Sequence, residues 1–182
     1  LFKKLFTRRK SNFNKDYIPY GKQTIDQEDI NNVVNVLKSD FLTQGPKIPE
    51  FEKQISSFVG SKYSVAVNSA TSALHIACKA LGLNEGDYLW TSPITFVASA
   101  NCARYCGAQV DFVDINISNG LICTEKLEEK LELAKNRNML PKIVVPVHLS
   151  GASCEMKKIY ELSIKYNFKI IEDASHAIGG TY

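Results

Sequence analysis

The chain has 182 residues, of which 45% are hydrophobic, and a formal net charge of +3. This length suits one α/β domain with a buried sheet and is too short for two large domains. No window approaches the roughly 20 apolar residues of a membrane helix, and no secretory signal pattern follows the basic start. We therefore expect a soluble, cytoplasmic protein with no membrane partner.

The positive charge is concentrated at the amino terminus. The segment LFKKLFTRRKSNFNKD carries six Lys or Arg and one Asp, a local +5, which leaves −2 for the rest of the chain. Because the body of the chain is not basic, no nucleic-acid partner is predicted. We expect residues 1–17 to be a disordered leader; contact of this leader with anionic lipid or nucleic acid is the alternative.

The cysteines indicate neither disulfides nor a metal site. They are odd in number and form no CxxC pair, so reduced thiols are expected. The D-x-x-H spacing of Asp173 and His176 stands without a further His or carboxylate cluster, and no metal ligand set is predicted from it. The five cysteines are Cys78, Cys102, Cys106, Cys123 and Cys154.

Two helical patterns precede any strand. In DQEDINNVVNVLKSD, apolar residues recur at helical spacing behind an acidic first turn, with Asp26 as the candidate N-cap. The segment FLTQGPKIP interrupts this pattern, and a second helix is predicted from Phe51 until Gly60 stops it.

From residue 63 onwards, strands alternate with helices. Continuously apolar strands favour a mainly parallel sheet covered by helices on both faces, so the pattern predicts a three-layer α/β/α domain. Left-handed helix caps are predicted at Gly60, Gly82 and Gly107. The five predicted strands, separated by four helices, are YSVAV, YLWTS, QVDFVDI, KIVVPVHL and FKIIED.

Three loops follow strands at the edge where such sheets bind ligands. In VNSATSALH, small residues and free amides at a helix start could hold a phosphate, although the motif taken alone favours ordinary helix capping by Ser69 or Thr71. In TSPITFVASAN, Phe96 could cover a flat ring, or it could pack on the sheet as a hydrophobic staple. In EDASHA, Glu172 and Asp173 follow an apolar strand, and a buried carboxylate there needs a cationic partner, either a metal or a protonated heterocycle.

Together, an anion cradle, an aromatic lid and an isolated carboxylate match the needs of a phosphorylated pyridine. The motifs NSATSALH, TSPITFVASAN, GAQVDFVDI, PVHLSG and EDASHAIGG, in this order, resemble those of the DegT/DnrJ/EryC1/StrS nucleotide-sugar aminotransferases. The resemblance spans residues 18–182. It implies pyridoxal 5'-phosphate (PLP) as cofactor and the large domain of the fold type I PLP-dependent transferases, incomplete at its carboxyl end and without the small domain.

The resemblance also implies roles for individual residues. Ala70 and Thr71 match the phosphate-binding pair, Phe96 the aromatic that stacks on the pyridine ring, and Asp173 the carboxylate that pairs with the ring nitrogen. His176 stands where many relatives have Gln, which contacts the ring's phenolic oxygen. The positions near the sugar nucleotide match Tyr20, Asp40, Phe41, Leu42 and Thr43, although Phe41 and Leu42 could equally pack at a helix end.

Two further motifs, IPYGKQTIDQEDI and SDFLTQGPKIPEFE, resemble those of one branch of this family. That branch aminates a UDP-linked 4-keto-6-deoxy sugar in the pseudaminic acid pathway. The resemblance implies glutamate as amino donor and a homodimer. The Schiff-base lysine of the family lies beyond Tyr182, and none of Lys157, Lys158, Lys165 and Lys169 matches it. The sequence therefore leaves open a non-catalytic truncated or split gene product, and a relative that performs dehydration with His in place of the lysine.

Overall fold

The computed structural model describes Gly21 and residues 23–182. The predicted leader, residues 1–17, and the substrate candidate Tyr20 lie outside the described residues. The chain divides into two compact units, Leu1–Pro46 and Lys47–Tyr182.

The described part of the first unit contains helix α1, Gln27–Leu37. Its start is fixed by a reciprocal capping box. The Asp26 carboxylate accepts from the amides of Glu28 and Asp29 at 2.8 and 3.0 Å, and the Asp29 carboxylate accepts from the Asp26 amide at 3.0 Å. The predicted N-cap is therefore confirmed.

The second unit alternates helices and strands as predicted. Its sheet has four parallel strands in the order β2-β1-β3-β4. The helices are α2 (Lys47–Val59), α3 (Ala70–Ala80), α4 (Ala98–Tyr105), α5 (Thr124–Lys135) and α6 (Met156–Tyr166), and the strands are β1 (Tyr88–Thr91), β2 (Gln109–Phe112), β3 (Ile143–Val145) and β4 (Lys169–Ile170).

The strands bury both of their faces. Leu89, Ile143 and Val145 belong to one hydrophobic cluster with α3 and α4, whereas Trp90 and Val144 belong to a second cluster with α5 and α6. Because successive strand residues point to opposite faces, continuous apolar runs are what two helical layers require. The three-layer α/β/α prediction is confirmed.

The predicted strand at residues 63–67 is wrong for the described structure. This segment has no ladder partner among the residues that the structure describes, and Tyr63 and Val65 are each 75% exposed. Exposure still alternates along the segment, so its sequence has the period of a strand. A strand forms only when a neighbour supplies hydrogen bonds, and sequence pattern alone does not show whether that neighbour is present.

Helix boundaries follow local chemistry. Helix α2 begins at Lys47, earlier than the predicted Phe51, because Pro49 is tolerated in the first turn, where its missing N–H has no helical partner. Gly60, Gly82 and Gly107 adopt φ values of 69°, 73° and 77° at helix ends, which confirms the predicted left-handed caps.

Among residues 21 and 23–182, no helix combines the length and apolar character that crossing a membrane would demand.

Candidate functional site

The candidate site is centred on Asp173, just past the carboxyl end of β4. The Asp173 amide donates to the Pro146 carbonyl at 2.9 Å, and the His148 amide donates to the Asp173 carbonyl at 3.1 Å. These bonds extend the pairing of β3 with β4 to a parallel bridge between Val147 and Asp173. The segment that follows β3 therefore holds the Asp173 backbone through both its amide and its carbonyl.

The Asp173 side chain is 7% exposed, and both of its carboxylate oxygens accept hydrogen bonds. Oδ2 accepts from the Ser99 hydroxyl at 2.7 Å. Oδ1 accepts from the Ser175 hydroxyl at 2.7 Å and from the Ser175 amide at 3.3 Å. An ionised carboxylate has about four acceptor positions, so these three donors leave one position open.

Within the described residues, no ion pair joins Asp173 to a Lys, Arg or His. Buried carboxylates usually have a countercharge, because hydrogen bonds alone offset only part of the cost of removing a charge from water. In the described part of the chain, the site thus combines a buried acceptor, one open acceptor position and no protein cation.

Phe96 lies on the loop between β1 and α4 and is 72% exposed. This exposure argues against the hydrophobic staple, in which the ring would be buried against the helix or sheet. The Ser99 amide donates to the Phe96 carbonyl at 3.1 Å, and Ser99 also contacts Asp173. Ser99 therefore brings two predicted site residues, Phe96 and Asp173, into one connected set.

Ala70 and Thr71 are the first two residues of α3. Ser69 is the N-cap, and its hydroxyl oxygen accepts from the Ser72 amide at 3.2 Å. In the described structure the amides of Ala70 and Thr71 have no hydrogen-bond acceptor, as is usual for the first turn of a helix. Capping and anion binding thus use different donors here, so the two readings of this motif are compatible.

Helix α3 is anchored beside the Asp173 region through its packing on α4. Leu74 and Cys78 of α3 share a buried cluster with Ala98 and Cys102 of α4, the helix that carries Ser99. Among the hydrogen bonds of the described residues, none joins Thr71 to Asp173. The two are related through this packing of α3 and α4.

His176 is exposed and follows Asp173 in the same loop. A side chain at Gly151 would approach the His176 carbonyl within 3.1 Å, and Gly151 has φ 86°. Only glycine therefore fits easily where this loop meets the loop after β3. The Gly151 backbone thus lets the His176 segment lie close to the loop that follows β3.

His148 is a site feature that the sequence reasoning did not identify. Its ring is 4% exposed, and Nδ1 accepts from the Cys154 amide at 3.1 Å. The neutral ring then carries its proton on Nε2, which donates to Glu172 at 2.9 Å. Glu172, the carboxylate residue directly before Asp173, therefore accepts a hydrogen bond from the His148 ring.

A cavity of about 320 Å³ opens beside this pair. Tyr182 lines this cavity, and its hydroxyl donates to the Glu172 carboxylate at 3.1 and 3.2 Å. The side chain is largely exposed, but partial desolvation of the hydroxyl, with the nearby Glu172 charge, raises the pKa of Tyr182. Burial also raises the pKa of the Cys154 thiol to about 11. The cavity is lined by Val59, His148, Ser153, Glu172, Ala174, Ala177, Ile178, Gly179, Gly180 and Tyr182.

The substrate candidates Asp40 to Thr43 belong to the first unit. They lie in a bent, irregular segment after α1, and Phe41 and Leu42 are more than half exposed. The two readings of these side chains, substrate contact and helix-end packing, both remain predictions.

The lysines near the end of the chain have surface partners. Lys158 and Lys165 both pair with Glu128 of α5, at 2.9 and 3.1 Å. These ion pairs tie α6 to α5. That these lysines do not match the Schiff-base lysine of the family stays a prediction.

Ser99, Ser175 and His148 are the site residues that sequence reasoning missed. Thr95 and Ser99 stand four residues apart on either side of Phe96, a spacing that would place two hydroxyls on one face of a helix. His148 follows a buried strand at the ligand edge of the sheet. Neither pattern identifies the partner, because Ser99 and Asp173 are 74 residues apart in sequence.

Three comparisons with known proteins show what this chain is similar to. The chain is 46% identical over 165 residues to the UDP-4-amino-4,6-dideoxy-N-acetyl-beta-L-altrosamine transaminase of Campylobacter jejuni, covering 91% of this chain and 43% of that protein. The structure of Helicobacter pylori PseC, an aminotransferase involved in the biosynthesis of pseudoaminic acid, matches with a TM-score of 0.81 and 34% identity, covering 90% of this chain and 43% of PseC. The PLP form of Spr1654 from Streptococcus pneumoniae also matches with a TM-score of 0.81, at 27% identity over 91% of this chain and 44% of that one.

The chain spans less than half the length of these relatives, which agrees with the expectation that it corresponds to part of a longer fold. The family model for DegT/DnrJ/EryC1/StrS aminotransferases matches residues 23–182, nearly all of the described chain. With the fold, the order of the motifs and this match in agreement, the chain belongs to the DegT/DnrJ/EryC1/StrS aminotransferase family.

Proposed function

We propose that the complete protein is a PLP-dependent aminotransferase that transfers an amino group to a 4-keto-6-deoxy nucleotide sugar. The observation that carries this proposal is the Asp173 carboxylate. It is buried, it lacks a protein cation among the described residues, and three donors leave one acceptor position open. A protonated pyridine nitrogen supplies both the missing charge and the missing donor.

The first helical turn of α3 fits the cofactor's phosphate. Two amides, those of Ala70 and Thr71, are free of protein acceptors in the described structure, and the positive end of the helix dipole adds to their attraction for an anion. The Thr71 hydroxyl adds a further donor. Ser69 stabilises this turn without occupying the two free amides.

Phe96 fits the face of the ring. It is exposed at the ligand edge of the sheet and linked through Ser99 to Asp173. Bound pyridoxal phosphate supplies an electron-poor ring that takes up and returns an amino group. The chain's own residues hold it: Ala70 and Thr71 bind the phosphate, Phe96 covers the ring, Asp173 keeps the ring nitrogen protonated, and His176 meets the phenolic oxygen.

The substrate is proposed from the relatives. The Campylobacter jejuni protein, at 46% identity, is named as the transaminase of a UDP-linked amino sugar, and this supports a UDP-linked 4-keto-6-deoxy sugar of the pseudaminic acid pathway. We place Tyr20, Asp40, Phe41, Leu42 and Thr43 near this sugar nucleotide and take glutamate as amino donor. We further propose that the protein is cytoplasmic, which fits the free thiols of its described cysteines. We also propose that it is a homodimer, as the family resemblance implies.

Cofactor binding tests the first step of this proposal. Pyridoxamine 5'-phosphate is titrated into the complete protein that the gene encodes, and binding is followed by fluorescence. Asp173→Asn is expected to weaken binding by about 100-fold, because a neutral amide loses the charge-assisted contact to the ring nitrogen. Unchanged affinity in Asp173→Asn would reject the assignment of Asp173.

Turnover distinguishes the proposal from its alternative, a non-catalytic truncated or split gene product that lacks the Schiff-base lysine. The protein is incubated with pyridoxal phosphate, glutamate and the UDP-linked 4-keto sugar, and the amino sugar and 2-oxoglutarate are measured. Equal amounts of both products support the aminotransferase. Cofactor binding without either product supports the non-catalytic alternative.

A further inference from the structure

We propose that Ser99 is a positioning residue for Asp173, which orients the carboxylate toward the ring nitrogen of the cofactor. The inference rests on the proposed function, since it assigns Ser99 to the same site. Ser99 lies in the first turn of α4 and is fully buried. Its hydroxyl oxygen lies 2.7 Å from Asp173 Oδ2, in a contact between two elements of the fold.

The single hydroxyl proton of Ser99 has three candidate acceptors. Asp173 Oδ2 lies at 2.7 Å, Thr95 Oγ1 at 2.8 Å and the Phe96 carbonyl at 3.1 Å. Hydrogen bonds to a charged acceptor are shorter and stronger than neutral ones, so the proton belongs on the bond to Asp173. The Thr95 hydroxyl, 2.8 Å from Ser99 Oγ, then donates to Ser99. The result is a directed chain from Thr95 through Ser99 to Asp173.

The two oxygens of Asp173 are held from different elements. Ser175, in the same loop, donates to Oδ1 from its hydroxyl and its amide, whereas Ser99, on α4, donates to Oδ2. Donors on both oxygens oppose rotation of the carboxylate plane. The direction of the one remaining acceptor position is therefore fixed before a ligand arrives, which is the condition for a strong charge-assisted contact.

Ser99 also holds the loop that carries the proposed ring cover. Its amide donates to the Phe96 carbonyl at 3.1 Å. One residue thus relates the contact at the ring edge to the contact at the ring face. Loss of the Ser99 hydroxyl removes only the contact to Asp173. The hydrogen bond from the Ser99 backbone amide to the Phe96 carbonyl does not depend on the side chain.

The test compares two ligands: pyridoxamine 5'-phosphate, and the analogue in which carbon replaces the ring nitrogen. Both carry the same phosphate and ring face, but only the first can donate to Asp173. Ser99→Ala is expected to weaken binding of pyridoxamine phosphate about tenfold and to change binding of the carbon analogue less than about twofold. An equal loss for both ligands, or no loss for either, would overturn the inference.

Ser163→Ala is the matched control. Ser163 is a buried helical serine whose hydroxyl donates to the carbonyl three residues earlier, at 2.7 Å, and it contacts no carboxylate. Its replacement should leave the affinity ratio of the two ligands unchanged. Ser99→Thr keeps a hydroxyl and should restore the ratio of the parent protein.

Two further variants separate the possible failures. If Asp173→Asn binds both ligands as the parent does, the proposed function fails. If Asp173→Asn loses the preference for pyridoxamine phosphate but Ser99→Ala keeps that preference, only the role of Ser99 fails. Should Ser99→Ala not fold, Thr95→Val removes the outer donor of the chain with little change of shape. Thr95→Val should then lower the preference by a smaller factor, and an unchanged preference would count against the inference.

Discussion

The Nε2 atom of His148 lies 2.9 Å from Glu172, while the backbones of His148 and Asp173 are joined by a hydrogen bond of 3.1 Å. One residue at the end of β3 therefore holds two consecutive carboxylate residues at the end of β4, one through its side chain and one through its amide. This places Glu172 toward the 320 Å³ cavity and leaves Asp173 buried.

Replacing His148 should be costly. His148→Ala is expected to lower the free energy of unfolding by about 3 kcal/mol, because it leaves a cavity and a buried Cys154 amide without an acceptor. Glu172→Gln is the matched change, since its amide oxygen still accepts from Nε2; it should cost less than about 1 kcal/mol. Urea unfolding measures both, and equal costs would contradict the larger contribution assigned here to the His148 ring.

Removing the Asp173 charge should stabilise the protein when no cofactor is bound. Asp173→Asn is expected to raise the free energy of unfolding by about 1 kcal/mol, because the buried carboxylate has no countercharge among the described residues. Thermal unfolding without ligand measures this change.

The control for this prediction is Asp87→Asn. Asp87 pairs with Lys142 at 2.8 Å, and the hydrogen bond from Lys142 lowers the pKa of its carboxyl. Asn at this position loses that pair, so stability should stay the same or fall. A loss of stability in Asp173→Asn as well would mean that the Ser99 and Ser175 bonds outweigh the cost of burying the charge.

The start of α3 separates helix capping from anion binding. Ser69→Ala should lower the free energy of unfolding by about 1 kcal/mol through loss of the cap. Ser69→Asp should keep stability within about 0.5 kcal/mol but weaken binding of pyridoxamine phosphate at least about tenfold, because its charge repels the phosphate. Ser69→Asn, a neutral cap, should bind as the parent does; equal binding by Ser69→Asp would exclude a phosphate at this turn.

Alkaline pH should destabilise the protein in part through Cys154. Burial raises the pKa of its thiol from an ordinary 9.0 to about 11, so between these values the folded chain keeps a proton that the unfolded chain has lost. This contribution to stability is complete below pH 9 and decreases as pH rises to 11, by about 2–3 kcal/mol in all. Unfolding across this range should show a shallower fall in Cys154→Ala than in the parent; parallel curves would contradict the shift.

Some features of this protein were predictable from the sequence because their causes are local. The capping box of Asp26, the Ser69 cap and the left-handed glycines each depend on residues within one helical turn. The two-sided apolar strands likewise indicated helices on both faces of a parallel sheet. The order of motifs led to the family, and the comparisons confirmed it.

Other features depended on contacts between distant parts of the chain. Residues 63–67 have the alternation of a strand, yet the described structure supplies no partner for them, because ladder hydrogen bonds come from another segment. Which serine meets Asp173, and that His148 meets Glu172, follow from packing of α4 and β3 against β4 across 74 and 24 residues of sequence. The sequence by itself determined the helices, the four strands of the sheet and the types of chemical group at its ligand edge. Tertiary structure decided which donors hold the buried carboxylate, because only folding brings those side chains within hydrogen-bonding distance.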